Sequence, residues 1–255
     1  MTPVILIGGN NLGKAKNSTQ RKANYNNSSN TIDFNQNYKN RPRHIELIPK
    51  SLGQEKLILD LTDPSQSITV AVGPAGTGKT YLAMLAAIKN FKEGRCQRII
   101  LTRPAIGVEG EQHGFLPGDL TSKMEPWTRP LLDVMKEYYS AKEVVQMIEN
   151  EIIEVAPLAF MRGRTFKDSW IVADEMQNAT PEQCKMLLTR IGEHSRIIVT
   201  GDVEQADRFG SKNGLLDLCS RLENQECNGI SVNRLQGSDI QRHPIIDTVL
   251  DLYSE

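Results

Sequence analysis

The sequence predicts an α/β domain, a mainly parallel sheet with helices on both faces. Three observations carry this. The short apolar runs are continuous rather than alternating, as strands buried on both sides require. Stretches of helical periodicity separate the runs, and several runs end in glycine or an acid, where a parallel strand gives way to a loop.

Residues 10–40 are dominated by Asn, Ser, Lys and Gln, with almost nothing to bury, so they cannot offset the entropy of ordering them. Residues 1–44 are expected to be a low-complexity, basic, disordered arm, and residues 45–255 the folded domain. Ile68 to Val72 is a β-branched run ending at glycine, hence a buried strand. From Lys79 to Phe91, Leu82, Leu85, Ala86 and Ile88 recur at helical spacing. Arg98 to Thr102 is the second strand, and residues 127–149 read as helical. Ile152–Val155, Trp170–Ala173 and Arg196–Thr200 are further strands. Pro181 to Ile191 is a helix with Thr180 as its N-cap and proline at the first helical position. Leu215–Leu222 and Ile245–Leu252 are helical, with Gly229–Val232 the last strand between them.

Composition narrows the function classes. No apolar run approaches the roughly 18 residues that cross a bilayer, and Val4–Ile7 has no basic residue before it, so neither a membrane span nor a secretory leader is expected. The cysteines at 96, 184, 219 and 227 form no CxxC pair, which disfavours a zinc site or disulfide framework and fits a reducing cytoplasm. His44, His113, His194 and His243 lack ligand spacing, which disfavours a metal-only hydrolase. The net charge of −1 hides an asymmetry. Residues 1–45 hold seven Lys/Arg and one acid, leaving 23 basic and 30 acidic residues for the rest. A basic arm on an acidic body suits contact with a polyanion.

The chemistry is concentrated in three places. Gly73-Pro74-Ala75-Gly76-Thr77-Gly78-Lys79-Thr80 fits GxxxxGK[ST] and lies between a predicted strand and a predicted helix, the context that this phosphate-binding motif requires. The glycines let several N–H groups converge on one anion, and the helix N-terminus adds its dipole. Lys79 is placed to reach the β- and γ-phosphates of a nucleotide and Thr80 to ligate Mg²⁺. Ninety-five residues after Lys79, an apolar strand runs into Asp174-Glu175. Asp174 is expected beside the cradle in the Mg²⁺ shell, with Glu175 orienting and deprotonating the attacking water. That pair argues against a small-molecule kinase, in which an activated water would waste ATP. The third place is Thr200-Gly201-Asp202, the end of a strand expected between cradle and acids. Thr200 and Gln205 are the candidates there for a γ-phosphate contact.

These residues together resemble the PhoH-like family of P-loop ATPases, which is similar to the core of superfamily 1 helicases. The resemblance spans about residues 45–253. It rests on GPAGTGKTYLA (73–83), TRPA (102–105), GFLPGDL (114–120), RPLLD (129–133), APLAFMRGRTF (156–166), DEMQNAT (174–180), TGD..Q (200–205) and RHP (242–244). It implies a RecA-like P-loop fold and a cytoplasmic, phosphate-starvation-associated, helicase-like ATPase acting with ATP and Mg²⁺. Residue by residue, it implies phosphate and metal roles for Lys79 and Thr80, acid roles for Asp174 and Glu175, and a γ-phosphate sensor in Gln205. It also implies adenine recognition by Gln54 and a coupling role for Gln177. Met176 departs from the alanine common in relatives, and Val108–Gly114 is slightly longer than the usual link.

Phosphoryl transfer on this plan uses a cationic finger. With one cradle in the chain, the finger is expected to be local or to come from a neighbouring subunit. Arg242 is the first candidate, then Arg162 and Arg164. A ring-like homo-oligomer, a hexamer, is therefore expected. Single-stranded RNA or DNA is the expected partner, with Thr102, Arg103 and the 114–123 loop at helicase-type contact positions. Two function classes remain open, an ATP-driven nucleic-acid motor or remodeller and a nucleotide-dependent RNA-binding switch that never unwinds. A nuclease is disfavoured, because in relatives that activity comes from an appended domain.

Overall fold

In the computed structural model, residues 44–104, 120–205, 213–223, 225, 227–243 and 245–253 are described, the side chains of 120–127, 247, 250, 251 and 253 excepted. The expected arm, apart from His44, and the loop containing Val108–Gly114 lie outside the described residues. In chain order the elements are α1 (Leu52–Thr62), β1 (Ile68–Val72), α2 (Lys79–Lys92), β2 (Arg98–Arg103), α3 (Leu120–Lys136) and α4 (Ala141–Glu149). They continue with β3 (Ile153–Pro157), β4 (Ser169–Ala173), α5 (Pro181–Leu188), β5 (Arg196–Gly201), α6 (Gly214–Glu223), β6 (Ile230–Arg234) and α7 (Ile245–Tyr253).

The six strands form one sheet in the order β3-β2-β4-β5-β1-β6, with every neighbouring pair parallel. Side chains alternate between two cores, as a strand's period of two dictates. Ala71, Ile99, Leu101, Trp170, Val172 and Ile198 face one core, which they share with α1, α2, α3 and α4. Val70, Val72, Ile100, Ile171, Ala173, Ile197 and Val199 face the other, beneath α5 and α6. All five residues of β1 and all five of β4 are buried. That two-sided burial is why these strands read as nearly continuous apolar runs. No helix among the described residues is long and apolar enough to cross a membrane.

Two elements differ from the sequence expectation. Helix α1 had no counterpart in it, yet a start signal stands at Ser51-Leu52-Gly53-Gln54: the Ser51 side chain accepts the Gln54 amide at 3.2 Å. The helix expected over 127–149 is two helices. The Ser140 oxygen accepts the Glu143 amide at 3.3 Å, and the Glu143 carboxylate accepts the Ser140 amide at 2.8 Å. This capping box starts a new helix where apolar spacing alone suggested continuation.

Candidate nucleotide site

The site forms at the carboxyl ends of the parallel strands. Register sets its dimensions. Ala71 pairs with Thr200 and Val72 with Gly201, so the tips of β1 and β5 lie level, and the Gly73 amide donates to the Gly201 carbonyl at 3.2 Å. On the other flank of β5, Ala173 pairs with Val199. Strand β5 therefore separates the cradle strand from the acid strand.

The cradle needs its glycines for distinct reasons. Gly76 has φ +85°, and a Cβ there would collide with the Nε of Arg242. Gly78 caps α2 in the left-handed region at φ +82°, and its Cβ would press on the Gln54 amide nitrogen at 3.0 Å. Thr77 is fully buried, its hydroxyl donating to the Pro74 carbonyl at 2.9 Å. The Lys79 ammonium donates to the carbonyls of Gly73 at 2.6 Å and Pro74 at 2.8 Å. Burial pushes Lys79 below the ordinary lysine range. Asp202, Asp174 and Glu175 offset this in part, and Arg242 pushes the same way as burial.

Across the site, the Thr80 hydroxyl donates to Asp174 Oδ1 at 2.8 Å, and the Thr200 hydroxyl donates to the same oxygen at 2.5 Å. One hydroxyl and one carboxylate converging in this way form a donor set that fits Mg²⁺, which takes few protein oxygens and completes its shell with phosphate and water. Glu175 follows in the left-handed region at φ +54°, an unfavourable conformation for a residue with a Cβ. Its carboxylate accepts a 2.5 Å bond from the Gln177 side-chain amide. The Gln177 oxygen in turn accepts the Asp202 amide at 3.1 Å, which ties the acid strand to the tip of β5.

The remaining sequence candidates divide by location. Ala75 lies in the cradle loop between β1 and α2. Gln54 is buried under the cradle with both ends of its amide engaged: Oε1 accepts the Lys50 amide at 2.9 Å, and Nε2 donates to the Thr77 carbonyl at 3.0 Å. It is thus a strut under the cradle, with one N–H and one lone pair left over. Gln205 is exposed just past the β5 tip, its backbone amide donating to the Asp202 carbonyl at 3.2 Å. Arg242 leans on the cradle of its own chain, next to Gly76. Arg164 does not reach the cradle. It forms a two-pronged pair with Glu154 on edge strand β3 and covers the Phe166 ring. Arg162 is exposed two residues before it. Thr102 is buried at 2 % exposure near the end of β2, and its neighbour Arg103 at the strand tip is half-buried. Sequence reasoning missed Asp239, a buried carboxylate behind Gln54. A lone acid in Gly237-Ser238-Asp239 gives no motif to find it by. Burial pushes the Cys184 thiol up to about 12, so it stays protonated and is no nucleophile.

Residues 46–254 match the model of the PhoH-like protein family. The chain belongs to that family. A PhoH-like protein of Bacillus subtilis is 43% identical over 207 residues, covering 81% of this chain and 63% of the relative. A Synechocystis PhoH-like protein is 44% identical over 73% of this chain and 56% of its own length, and Protein PhoH of Escherichia coli K12 is 39% identical over 74% and 54%. The PhoH-like chain thus spans less than two thirds of these relatives. Among solved structures it is similar to the Pyrococcus furiosus Hef helicase domain, with TM-score 0.42, 13% identity and coverage of 73% and 38%. It is also similar to the Sulfolobus solfataricus SWI2/SNF2 ATPase core in complex with dsDNA, with TM-score 0.42, 12% identity and coverage of 77% and 47%.

Proposed function

We propose that this PhoH-like chain binds ATP with Mg²⁺ in the cradle and hydrolyses it, and that the cycle is coupled to binding of single-stranded RNA or DNA. The observation that carries the reading is the Thr80–Asp174 bond of 2.8 Å, which brings the phosphate loop and the acid strand together across an intervening strand. Thr80 and Asp174 hold the metal, which when bound neutralises charge on the phosphate oxygens. The cradle amides and Lys79 bind and orient the triphosphate. Glu175, pinned by Gln177, takes a proton from the attacking water. Thr200 fixes the Asp174 carboxylate, and Arg242 brings a cation to the cradle from within the chain.

The nucleic-acid half of the reading rests on Arg103 at the tip of β2, next to the acid strand, and on the basic first 45 residues. Steady-state hydrolysis by the wild type and by Lys79→Ala, each with and without a single-stranded oligonucleotide, tests both halves. Turnover lost in Lys79→Ala and raised by the oligonucleotide in the wild type is expected. A wild type without turnover overturns the reading, and turnover indifferent to RNA and DNA removes the coupling. Displacement of a strand from a duplex separates a motor from a switch that holds RNA without unwinding it.

A further inference from the structure

Asp239 lies in the turn Gly237–Asp239, between the end of β6 and Arg242, and is 6 % exposed. Its carboxylate accepts two backbone hydrogen bonds. The Gly53 amide donates to Oδ1 at 3.1 Å and the Gln236 amide to Oδ2 at 2.7 Å. Burial alone would raise this carboxyl, but the donated bonds outweigh it and hold Asp239 below the usual carboxylate range. The carboxylate thus grips Gly53, the residue before Gln54, while the Ser51 oxygen accepts the Gln54 amide. Gly53 has no room for a side chain, since a Cβ there would run into Asp239 Oδ2.

The same short segment is fastened to the cradle at its other end. The Gln241 amide donates to the Gly76 carbonyl at 2.9 Å, and Arg242 lies against Gly76. Gln54 meanwhile donates to the Thr77 carbonyl. A closed loop of contacts results, from Asp239 to the start of α1, through Gln54 to the cradle, and back through Gln241. Hydrogen bonds to a buried charge are strong and directional, so such a loop holds its members to a fixed spacing.

We infer that Asp239 is a positioning residue that locks Gln54 and Arg242 at one spacing about the phosphate loop, and so sets nucleotide affinity and base selectivity without touching the nucleotide. This rests on the proposed ATP site. The test measures KM, kcat and binding for ATP and GTP in the wild type, Asp239→Ala, Asp239→Asn and Gly53→Ala. Asp239→Ala should raise the ATP KM about tenfold, the effect of one lost charge-assisted bond, with a smaller change in kcat and a flattened ATP:GTP ratio. Asp239→Asn, which keeps one acceptor, should fall between Asp239→Ala and the wild type. Gly53→Ala pushes on an intact carboxylate and favours the helix itself, so it should flatten the same ratio in a chain that stays folded. If Asp239→Ala does not fold, the Asn and Gly53 variants decide. An active wild type whose KM and ATP:GTP ratio survive in these variants overturns the inference and leaves the ATP site standing. A wild type that binds neither nucleotide overturns both.

Discussion

Lys79 and Glu175 solve opposite physical problems. The lysine must remain charged in a place that strips its water, and the surrounding acids help it do so. The glutamate must point one way while sitting on an uncomfortable backbone, and Gln177 clamps it there. Glu175→Gln keeps the shape and removes the base, so ATP binding should persist while kcat falls about 10²–10⁴-fold, the usual range for a general base. A binding titration beside steady-state turnover checks both halves, and undiminished turnover would remove Glu175 from the chemistry. The cradle and acids were legible from sequence because a phosphate loop needs glycine, lysine and a hydroxyl at fixed spacing. Asp239 was not, because its hydrogen-bond partners are two backbone amides, and amides leave no mark in a sequence.

At the scale of elements, strands were easier to read than helix ends. A two-sided core forces Ile68–Val72 and Trp170–Ala173 to be buried throughout and almost wholly apolar, whereas the break before α4 depends on the capping pair Ser140 and Glu143. Strand order was less visible still, since β3 reaches the sheet edge through pairing with β2 alone. That edge is held by Glu154, whose carboxylate accepts from Arg98 at 2.6 Å and from Arg164 at 2.9 Å. The hydrogen bond from Arg164 is the main cause that keeps Glu154 below the ordinary glutamate range; burial opposes it, and the charges of Arg164 and Arg98 add to it. A depressed carboxylate stabilises the fold fully above its unfolded value and loses that contribution as pH falls through its folded one. Glu154→Gln should therefore lower stability by about 1–3 kcal/mol near neutrality, the range for charge-assisted bonds. The difference should shrink as pH drops below the free-glutamate value of 4.5. Thermal melts of both proteins from neutral to acidic pH check this, and a difference independent of pH would mean that the ion pairs are not its source.

At the scale of the whole molecule, the exposed surface bears on assembly. Helix α7 leaves Ile245, Val249 and Leu252 exposed at spacings of four and three, one stripe that water does not favour. Of the three candidate arginines, Arg242 lies at the cradle of its own chain, Arg164 is paired with Glu154, and Arg162 is exposed. Sizing in solution with ATP and Mg²⁺ should show a species several times the 28.5 kDa chain mass if a ring brings nucleotide to subunit junctions. A strictly monomeric protein with full turnover would defeat the ring, an outcome that Arg242 acting within its own chain allows.

The placement of β5 has a mechanical consequence. Its last residue, Gly201, touches both halves of the machine: its carbonyl receives the Gly73 amide, and a methyl group added to it would press on Gln177 Oε1 at 2.5 Å and on Leu215 at 2.6 Å. One added carbon at this position is a wedge driven between the grip on the phosphates and the residue that steadies the base. Gly201→Ala should accordingly weaken ATP binding and slow turnover together, where Glu175→Gln spares the first, and paired titration and rate measurements on the two variants would tell them apart.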